Sequence, residues 1–299
     1  MDKQSAYVPN NCVPDRDTTP RNTHWDSGSF LTGVSLSDQP ILSLIKLVLQ
    51  TAYLKPYKPI SLLLLGNAGI GKTRLLTPLA KLDFVSYVND ITPKYLVEFL
   101  HKAKNGEKRF LVVPDFTNCM SHAMNTRTVL VAILRSMTEE GVIDLSDYHL
   151  EFKSSTHVKA GLITATTNAS FQQFRQIWKG TGFLSRLLPF SFSHSVDTKT
   201  RIMKDIDMKK RDCLASVKLS VVKRTPGTVA MPPRLLSQLH VYEELLGKNS
   251  GCLPYRHQIQ LNALAESLAI LTESSELTQD HIDTVSWLCH WINYDFNEV

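Results

Sequence analysis

The feature that most constrains the fold is a glycine-rich loop that directly follows a run of apolar residues. Residues 60–65 read Ile-Ser-Leu-Leu-Leu-Leu, which has the length and composition of a buried strand. The next eight residues fit the pattern G-x-x-x-x-G-K-T and lead into residues 74–76, which continue as a helix. These eight residues are Gly66, Asn67, Ala68, Gly69, Ile70, Gly71, Lys72 and Thr73. A strand, a glycine loop and a helix in this order are typical of the phosphate-binding P-loop.

This loop has the chemistry needed to hold a nucleoside triphosphate. Glycine permits backbone conformations that turn consecutive N–H groups toward phosphate oxygens. The side chain of Lys72 is expected to reach the β- and γ-phosphates, and the hydroxyl of Thr73 to hold Mg²⁺. We therefore expect ATP and Mg²⁺ as cofactors, held by all eight loop residues, rather than a chance glycine turn.

Composition narrows the class of protein. The chain has 299 residues, of which 43% are hydrophobic and 20% charged, as in a globular protein of one large domain or two moderate ones. The net charge of +5 is compatible with nucleic-acid binding but does not require it. The five cysteines are widely spaced and include no C-x-x-C, so neither a disulfide framework nor a zinc ribbon is predicted. Without a signal region or a membrane-length apolar run, we expect a cytoplasmic protein that has no membrane partner.

Alternating strand and helix patterns predict an α/β fold. Five apolar runs have the length of strands, and helical periodicity separates most of them. They lie near residues 60–65, 84–88, 109–115, 160–168 and 183–192. Residues 142–160 instead alternate like a β-hairpin. We predict a parallel five-stranded sheet covered by helical layers, with its ligand site at the carboxyl ends of the strands.

The chain divides into four predicted segments. Residues 1–36 form a polar N-terminal arm that we expect to become ordered on a partner protein. Residues 37–200 form the nucleotide-binding domain, and residues 201–229 form a linker. Residues 230–299 show only helical periodicity, which predicts a small all-α lid domain with a helix stop at Gly247.

Asp115 is the expected second residue of the Mg²⁺ site, beside Thr73. It ends the apolar strand 109–115, downstream of the P-loop. A carboxylate at that place can hold Mg²⁺ through water. The alternative is an aspartate that only forms the turn after the strand.

The order of these parts resembles the AAA+ ATPases. A P-loop is followed by a strand that ends in aspartate, a strand end with Asn168, an arginine before the last strand and a helical lid. The resemblance covers about residues 30–299. The segment Leu184-Ser185-Arg186, together with a hairpin before Asn168, looks most like the minichromosome-maintenance helicases and their mobile-element or phage relatives.

This resemblance implies roles for three further residues. Asn168 matches sensor 1, which positions the attacking water or senses the γ-phosphate, and Arg256 matches sensor 2. Arg186 matches the arginine finger, which reaches the ATP of a neighbouring subunit in a ring or filament, with a hexamer as the expected size. The residues alone leave alternatives open. Asn168 would then cap a strand, Arg256 would form a salt bridge at a helix start, and Arg175 would replace Arg186 as the finger.

The chain departs from the family at one position. AAA+ hydrolases usually follow the magnesium aspartate with a glutamate that polarises the attacking water, and here that position is Phe116. Phenylalanine cannot accept a proton. Asp90 ends the strand expected beside that of Asp115, so we hypothesise that it acts as the base, the alternative being a turn aspartate. Glu139 and Glu140, at a helix end, are poorer candidates.

The hairpin is the candidate contact to DNA. It carries His149, Lys153, His157 and Lys159. In helicases of the kind that this chain resembles, such a hairpin projects into the central pore and grips the DNA backbone by charge. The alternative is a solvated β-turn.

Three functions remain open. The hairpin and the finger segment favour an ATP-driven motor on DNA, as in helicase-like, replication or mobile-element proteins. Phe116 favours a switch that assembles with ATP, hydrolyses it slowly and recruits partner proteins. A protein remodeller ranks last, because the aromatic residue it needs after the second strand, Tyr95, falls within a predicted helix.

Overall fold

The computed structural model describes residues 40–147, 150–193, 196–207, 219, 221–223 and 229–294. The predicted arm (1–36), His149 of the hairpin and most of the predicted linker lie outside these residues. The described residues form seven strands. They are β1 (Ser61–Leu65), β2 (Val85–Tyr87), β3 (Phe110–Val113), β4 (Val142–Asp147), β5 (Leu150–Val158), β6 (Gly161–Thr166) and β7 (Leu187–Ser191).

Eleven α-helices lie within the described residues. They are α1 (Pro40–Thr51), α2 (Lys72–Leu76), α3 (Pro93–Lys104), α4 (Phe116–Ser121), α5 (Met124–Thr138), α6 (Asn168–Gly180), α7 (Val196–Asp207), α8 (Pro233–Leu236), α9 (His240–Ser250), α10 (Tyr255–Leu271) and α11 (Gln279–Cys289). Short 3₁₀ turns cover Thr77–Lys81, Leu184–Arg186 and Ser237–Leu239. No helix in this part of the chain combines the length and the apolar composition that crossing a membrane would require.

Five of the strands form one parallel sheet in the order β2–β3–β6–β1–β7. The prediction of an α/β fold with a five-stranded parallel sheet is therefore confirmed. All residues of β1, β3 and β6 are buried, as expected when helices cover both faces of a sheet. The order also confirms that β2, which precedes Asp90, lies beside β3, which precedes Asp115.

Local residue types explain where the helices begin and end. The α-helical part of α2 ends at Leu76, and a 3₁₀ turn takes over around Pro78, which lacks the N–H that a helix interior needs. Helix α3 begins after Thr92, whose hydroxyl accepts a hydrogen bond from the N–H of Tyr95 at 3.2 Å. Tyr95 also hydrogen-bonds Ser86 at 2.7 Å through its own hydroxyl, so it is tied into α3 and β2.

Two boundaries differ from the sequence-based expectation. Strand β6 ends at Thr166, and Asn168 is the first residue of α6 instead of the last residue of a strand. Helix α9 continues through Gly247 and ends before Gly251, which adopts φ 77°, so the predicted stop at Gly247 is wrong. Gly247 lies close to the following turn, because an added Cβ would lie 3.0 Å from the carbonyl oxygen of Cys252.

The helices after residue 229 share one hydrophobic core with the sheet. The hydroxyl of Tyr294, which is buried, donates to the carbonyl of Leu187 at 2.6 Å. The N–H of Asn293 donates to the carbonyl of Pro189 at 2.9 Å, so the chain after α11 lies along β7. Helix α7 runs across residue 200, where the predicted boundary between domain and linker lies, and the predicted division into domains stays a prediction.

The predicted hairpin is confirmed. Strands β4 and β5 pair antiparallel between α5 and β6. Phe152 is buried and its ring contacts His101 of α3 edge-on, with centroids 5.1 Å apart. Lys104 of α3 donates to the carbonyl of Lys153 at 3.0 Å. These contacts hold one face of the hairpin against α3 and leave the other face exposed.

Candidate functional site

The P-loop connects the carboxyl end of β1 to α2. Gly69 and Gly71 adopt φ angles of 78° and 92°, in the left-handed region that glycine enters without strain. Residues 67–69 are exposed. The loop backbone therefore opens to solvent at the edge of the sheet where ligands of parallel sheets bind.

The ammonium of Lys72 lies against the start of this loop. It donates to the carbonyl oxygens of Gly66 at 2.7 Å and Asn67 at 2.8 Å. Burial lowers the pKa of Lys72, while the charge of Asp115 raises it. The two predicted site residues are thus close enough to interact electrostatically, although they follow different strands.

Asp115 serves as the N-cap of α4. Its Oδ1 accepts a hydrogen bond from the N–H of Thr117 at 3.0 Å, and the residue is exposed. The cap occupies Oδ1, so Oδ2 can still accept a bond from water bound to Mg²⁺. The turn role and the metal role are therefore compatible in this geometry.

Asn168 is bound to the P-loop itself. Its Nδ2 donates to the side-chain oxygen of Asn67 at 2.8 Å, and the residue is almost fully buried. Its Oδ1 is buried and has no partner among the described residues. A buried acceptor without a partner is rare and calls for an explanation. A water or ligand held by the loop, which would donate to this oxygen, supplies one.

Sequence reasoning missed a group of hydroxyls that joins the first turn of α4, after Asp115, to the first turn of α6, where Asn168 lies. The Oγ1 of Thr117, at the start of α4, lies 3.2 Å from that of Thr166 and donates to Ser170 Oγ at 3.4 Å. Thr166 ends β6, and Ser170 lies in the first turn of α6. Hydroxyl residues at the end of a fully buried strand were the signal in the sequence that could have identified this group.

Phe116 points away from the loop and into the core. It is fully buried, and its ring centroid lies 5.6 Å from that of Trp178 and 6.0 Å from that of Phe183. The backbone after Asp115 therefore aims the next side chain between α6 and the 3₁₀ turn before β7. A carboxylate at this position would be buried among aromatic rings.

Asp90 lies at the same edge of the sheet but farther from the loop. Its strand, β2, is three strands away from β1, or about 14 Å at the usual strand spacing. Its carboxylate accepts from the N–H of Ile91 at 2.8 Å and contacts His122 Nε2 at 3.0 Å. Burial raises the pKa of Asp90, but these hydrogen bonds outweigh it and lower the pKa. Asp90 is therefore held as a carboxylate by its own neighbours.

The cysteine beside Asp90 does not indicate a metal site. Cys119 donates to Asp90 Oδ1 at 3.4 Å, and burial raises the pKa of its thiol to about 12, so the thiol stays protonated. Within the described residues, no group of three or more histidine, cysteine, aspartate or glutamate side chains is arranged to hold a metal ion.

Arg186 and Arg256 lie at the opposite edge of the sheet from the P-loop. Arg186 directly precedes Leu187, which pairs with Ser61 at the amino end of β1. Arg256 donates to the hydroxyl of Ser185, so it lies at the same edge. Neither arginine is near the loop of its own chain. Arg175, the alternative finger, lies in α6 and is half-buried.

A single carboxylate joins these two arginines. Arg256 donates to Glu139 through Nε at 2.6 Å and through Nη2 at 2.8 Å. Nη2 of Arg186 lies 2.7 Å from Glu139 and 2.9 Å from Glu140. Sequence reasoning missed this contact, because 117 residues separate Glu139 from Arg256.

The basic residues of the hairpin lie on its exposed side. Lys153 and His157 are exposed and alternate with Phe152 and Val158, which are buried. Lys159, just after β5, is half-buried. Two of the three described candidates for DNA contact are therefore accessible to a large ligand.

Comparison with known proteins leaves these residues without an assigned role. No protein-family model matches the chain, and no curated protein matches it. The functional argument therefore depends on the geometry of two groups of residues. Lys72, Asp115 and Asn168 lie at the carboxyl edge of the sheet, and Arg186 and Arg256 lie at its amino edge.

Proposed function

We propose that this chain is an ATPase of the AAA+ type that binds ATP and Mg²⁺ between the subunits of an oligomer. The observation that carries the proposal is the arrangement around the P-loop. Lys72 interacts electrostatically with Asp115, and Asn168 hydrogen-bonds the loop residue Asn67. A lysine, a carboxylate and an amide from three strand ends match the groups that a nucleoside triphosphate with Mg²⁺ requires.

Each residue of this site has a distinct role in the proposal. The loop N–H groups and Lys72 hold the phosphates, while the hydroxyl of Thr73 and the carboxylate of Asp115 hold Mg²⁺. Bound Mg²⁺ would neutralise charge on the phosphates. The unpartnered Oδ1 of Asn168 accepts a hydrogen bond from the attacking water and so orients it.

The positions of the arginines support an oligomer. Strand β1 has five residues, so the carboxyl and amino ends of the strands lie about 17 Å apart. Arg186 and Arg256 therefore contact a nucleotide only if it is bound by a second copy of the chain. A head-to-tail contact of this kind closes into a ring, for which we expect six subunits, or continues as a filament.

The decisive experiment is ATP binding in the presence of Mg²⁺. Wild-type protein and a Lys94→Ala control, which changes an exposed lysine of α3, are expected to bind and hydrolyse ATP. Lys72→Ala is expected to lose both activities, because the ammonium that contacts the phosphates is gone. Failure of the wild type to bind ATP, or equal turnover by Lys72→Ala, contradicts the proposal.

The proposed catalytic base lies apart from the loop. Phe116 is buried, so we keep Asp90 as the candidate, acting with His122, which contacts its carboxylate. Asp90→Asn is expected to lower turnover. Asp83→Asn is a matched control, since Asp83 Oδ1 likewise accepts from the next N–H at 2.8 Å but lies before β2 rather than after it. Unchanged turnover by Asp90→Asn would remove Asp90 from the mechanism.

We propose that the ATPase acts on DNA as a helicase-like motor, with the exposed side of β5 as the contact. ATP hydrolysis is then expected to rise with single- or double-stranded DNA and to fall steeply with salt. Lys153→Ala is expected to weaken this stimulation, and Lys204→Ala on the exposed surface of α7 to leave it unchanged.

A second candidate function is an assembly switch with slow hydrolysis that recruits partner proteins. The burial of Phe116 favours it, because the usual place for the catalytic carboxylate is part of the core. A switch is expected to change its oligomeric size between ATP and ADP, and to show the same slow turnover with and without DNA.

A further inference from the structure

Glu139, Arg186 and Arg256 form a compact site, which we call the arginine–glutamate site. Oε1 of Glu139 accepts from Nε of Arg256, and Oε2 accepts from Nη2 of Arg256 and contacts Nη2 of Arg186. The exposed fractions of the side chains differ: 32% for Glu139, 25% for Arg256 and 8% for Arg186. A ligand from solvent therefore meets Arg256 before Arg186.

The way in which Glu139 binds Arg256 leaves one side of the guanidinium available. A guanidinium has five N–H groups. Glu139 takes the Nε–H and one N–H of Nη2, and Ser185 takes one N–H of Nη1. The second N–H of Nη2 points away from Glu139 and has no partner in the part of the chain that the structure describes. A hydrogen bond from such a charged donor to a phosphate oxygen is short and strong.

The guanidinium of Arg186 has different hydrogen-bond partners from that of Arg256. Its Nη1 donates to the carbonyl of Gly182, and its Nη2 contacts both Glu139 and Glu140. Burial lowers its pKa, and the neighbouring Arg256 adds to this effect. The mostly buried guanidinium of Arg186 therefore contacts both carboxylates from the side of the protein interior.

The backbone around Arg256 is also held in place. Gln260, one turn later in α10, donates to the carbonyls of Ser185 and Arg186 at 3.4 Å each. Its side-chain oxygen in turn contacts Nδ1 of the buried His257 at 2.7 Å. These bonds join α10 to the turn before β7, so they fix the position of the backbone at Arg256.

Large exposed apolar side chains lie near this arginine in the sequence. Leu253, Tyr255 and Ile259 flank Arg256 in the chain, and each is more than half exposed. Exposed apolar residues beside an arginine are typical of a surface that another protein covers. A second copy of this chain, which would bring its nucleotide to Arg256, fits this surface.

We propose that Glu139 is a positioning residue, which orients Arg256 so that the outward N–H of its Nη2 meets the terminal phosphate of a nucleotide bound by a second copy. Arg186 holds Glu139 in place from inside. This inference depends on the proposed ATPase function and goes beyond it, because it gives Glu139, which that function leaves unused, the role of positioning Arg256.

Steady-state ATP hydrolysis and thermal unfolding of three variants test the inference. Glu139→Gln is expected to lower kcat by about 10- to 10²-fold, because a misplaced guanidinium no longer meets the phosphate, while the KM for ATP and the melting temperature stay close to wild type. Arg256→Lys is expected to lower kcat by about 10²-fold or more, because an ammonium lacks the fork. Glu98→Gln is the matched control, since Glu98 is an exposed glutamate of α3, and it is expected to leave kcat unchanged.

A mixing experiment tests whether Arg256 acts on a second copy. Lys72→Ala and Arg256→Lys are each expected to be inactive alone. An equimolar mixture is expected to recover about a quarter of the wild-type rate, the share of head-to-tail contacts that combine an intact loop with an intact arginine.

The outcomes separate this inference from the proposed function. Wild-type kcat in Glu139→Gln, equal losses in Glu139→Gln and Glu98→Gln, or no recovery on mixing would each overturn it while Lys72→Ala remains inactive. Equal turnover by wild type and Lys72→Ala would overturn the ATPase proposal and this inference together. If Glu139→Gln does not fold, Glu139→Asp, which keeps the charge on a shorter side chain, takes its place with the same expected loss of kcat.

Discussion

The side-chain amide of Asn168 donates a hydrogen bond of 2.8 Å to the side-chain oxygen of Asn67, which precedes it by 101 residues. This bond joins the P-loop to the beginning of α6 and leaves Oδ1 of Asn168 buried without a partner in the described residues. In the proposed function, Nδ2 of Asn168 supports the loop that holds the phosphates, and Oδ1 orients the attacking water.

Asn168→Ala is expected to lower kcat by about 10- to 10²-fold and to change the Kd for ATP by less than about threefold, because it removes a water-orienting oxygen and no phosphate contact. Single-turnover kinetics and equilibrium ATP binding measure the two effects. Asn105→Ala, in the exposed turn after α3, is the control and is expected to change neither. A loss of affinity as large as the loss of kcat would contradict this role.

Asp115→Asn is expected to keep the helix cap and to weaken the proposed Mg²⁺ site. Asparagine is an equally good N-cap, so the free energy of unfolding should change by less than about 0.5 kcal/mol. The Mg²⁺ concentration that supports half-maximal turnover should rise by about tenfold or more, because a neutral amide binds the cation more weakly. Asp115→Ala, which removes the cap as well, should also cost about 1 kcal/mol in chemical denaturation. Normal Mg²⁺ dependence in Asp115→Asn would show that Asp115 caps the helix but does not hold Mg²⁺.

Phe116→Glu, which introduces the acid usual in the AAA+ hydrolases that the sequence resembles, is expected to destabilise the fold. The side chain at position 116 is fully buried beside Trp178 and Phe183, so the free energy of unfolding should fall by more than about 3 kcal/mol. Phe116→Leu keeps the position apolar and should cost about 1–2 kcal/mol. Urea denaturation measures both values. Faster ATP turnover by a stably folded Phe116→Glu variant would show that the side chain reaches the loop.

His257 is expected to make stability depend on pH. Its Nε2 lies 2.8 Å from Ser250 Oγ and its Nδ1 lies 2.7 Å from Gln260 Oε1, and burial lowers its pKa from 6.5 to about 4. Between these values the unfolded chain binds a proton that the folded chain does not. The contribution of His257 is therefore complete above pH 6.5 and falls by about 3 kcal/mol as the pH drops to 4.

The check compares urea unfolding of wild type, His257→Gln and His157→Gln at several values between pH 7 and 4. His257→Gln is expected to lose less stability over this range than wild type, because glutamine does not titrate. His157→Gln changes an exposed histidine and is expected to follow the wild type. Parallel curves for wild type and His257→Gln would refute the assignment.

Local patterns were sufficient for most of the secondary structure. The continuous leucines of β1 and the helix that contains Tyr95 depend on interactions between residues that are near in sequence, and the structure places both elements where we expected them. Gly247 shows the limit of this reasoning. A glycine near a helix end predicts a stop, but here its missing side chain makes room for the turn at Cys252.

The sequence by itself determined the P-loop, the strand that leads to Asp115 and the alternation of strands with helices, because short spacings and apolar runs specify these features. Only the tertiary structure decided that Phe116 is buried, that Asn168 contacts Asn67, and that Glu139 joins Arg186 to Arg256. These contacts depend on the order of the strands and on the packing of helices that are far apart in the chain. Local periodicity contains no information about either, because it reports only how a segment divides its residues between core and solvent.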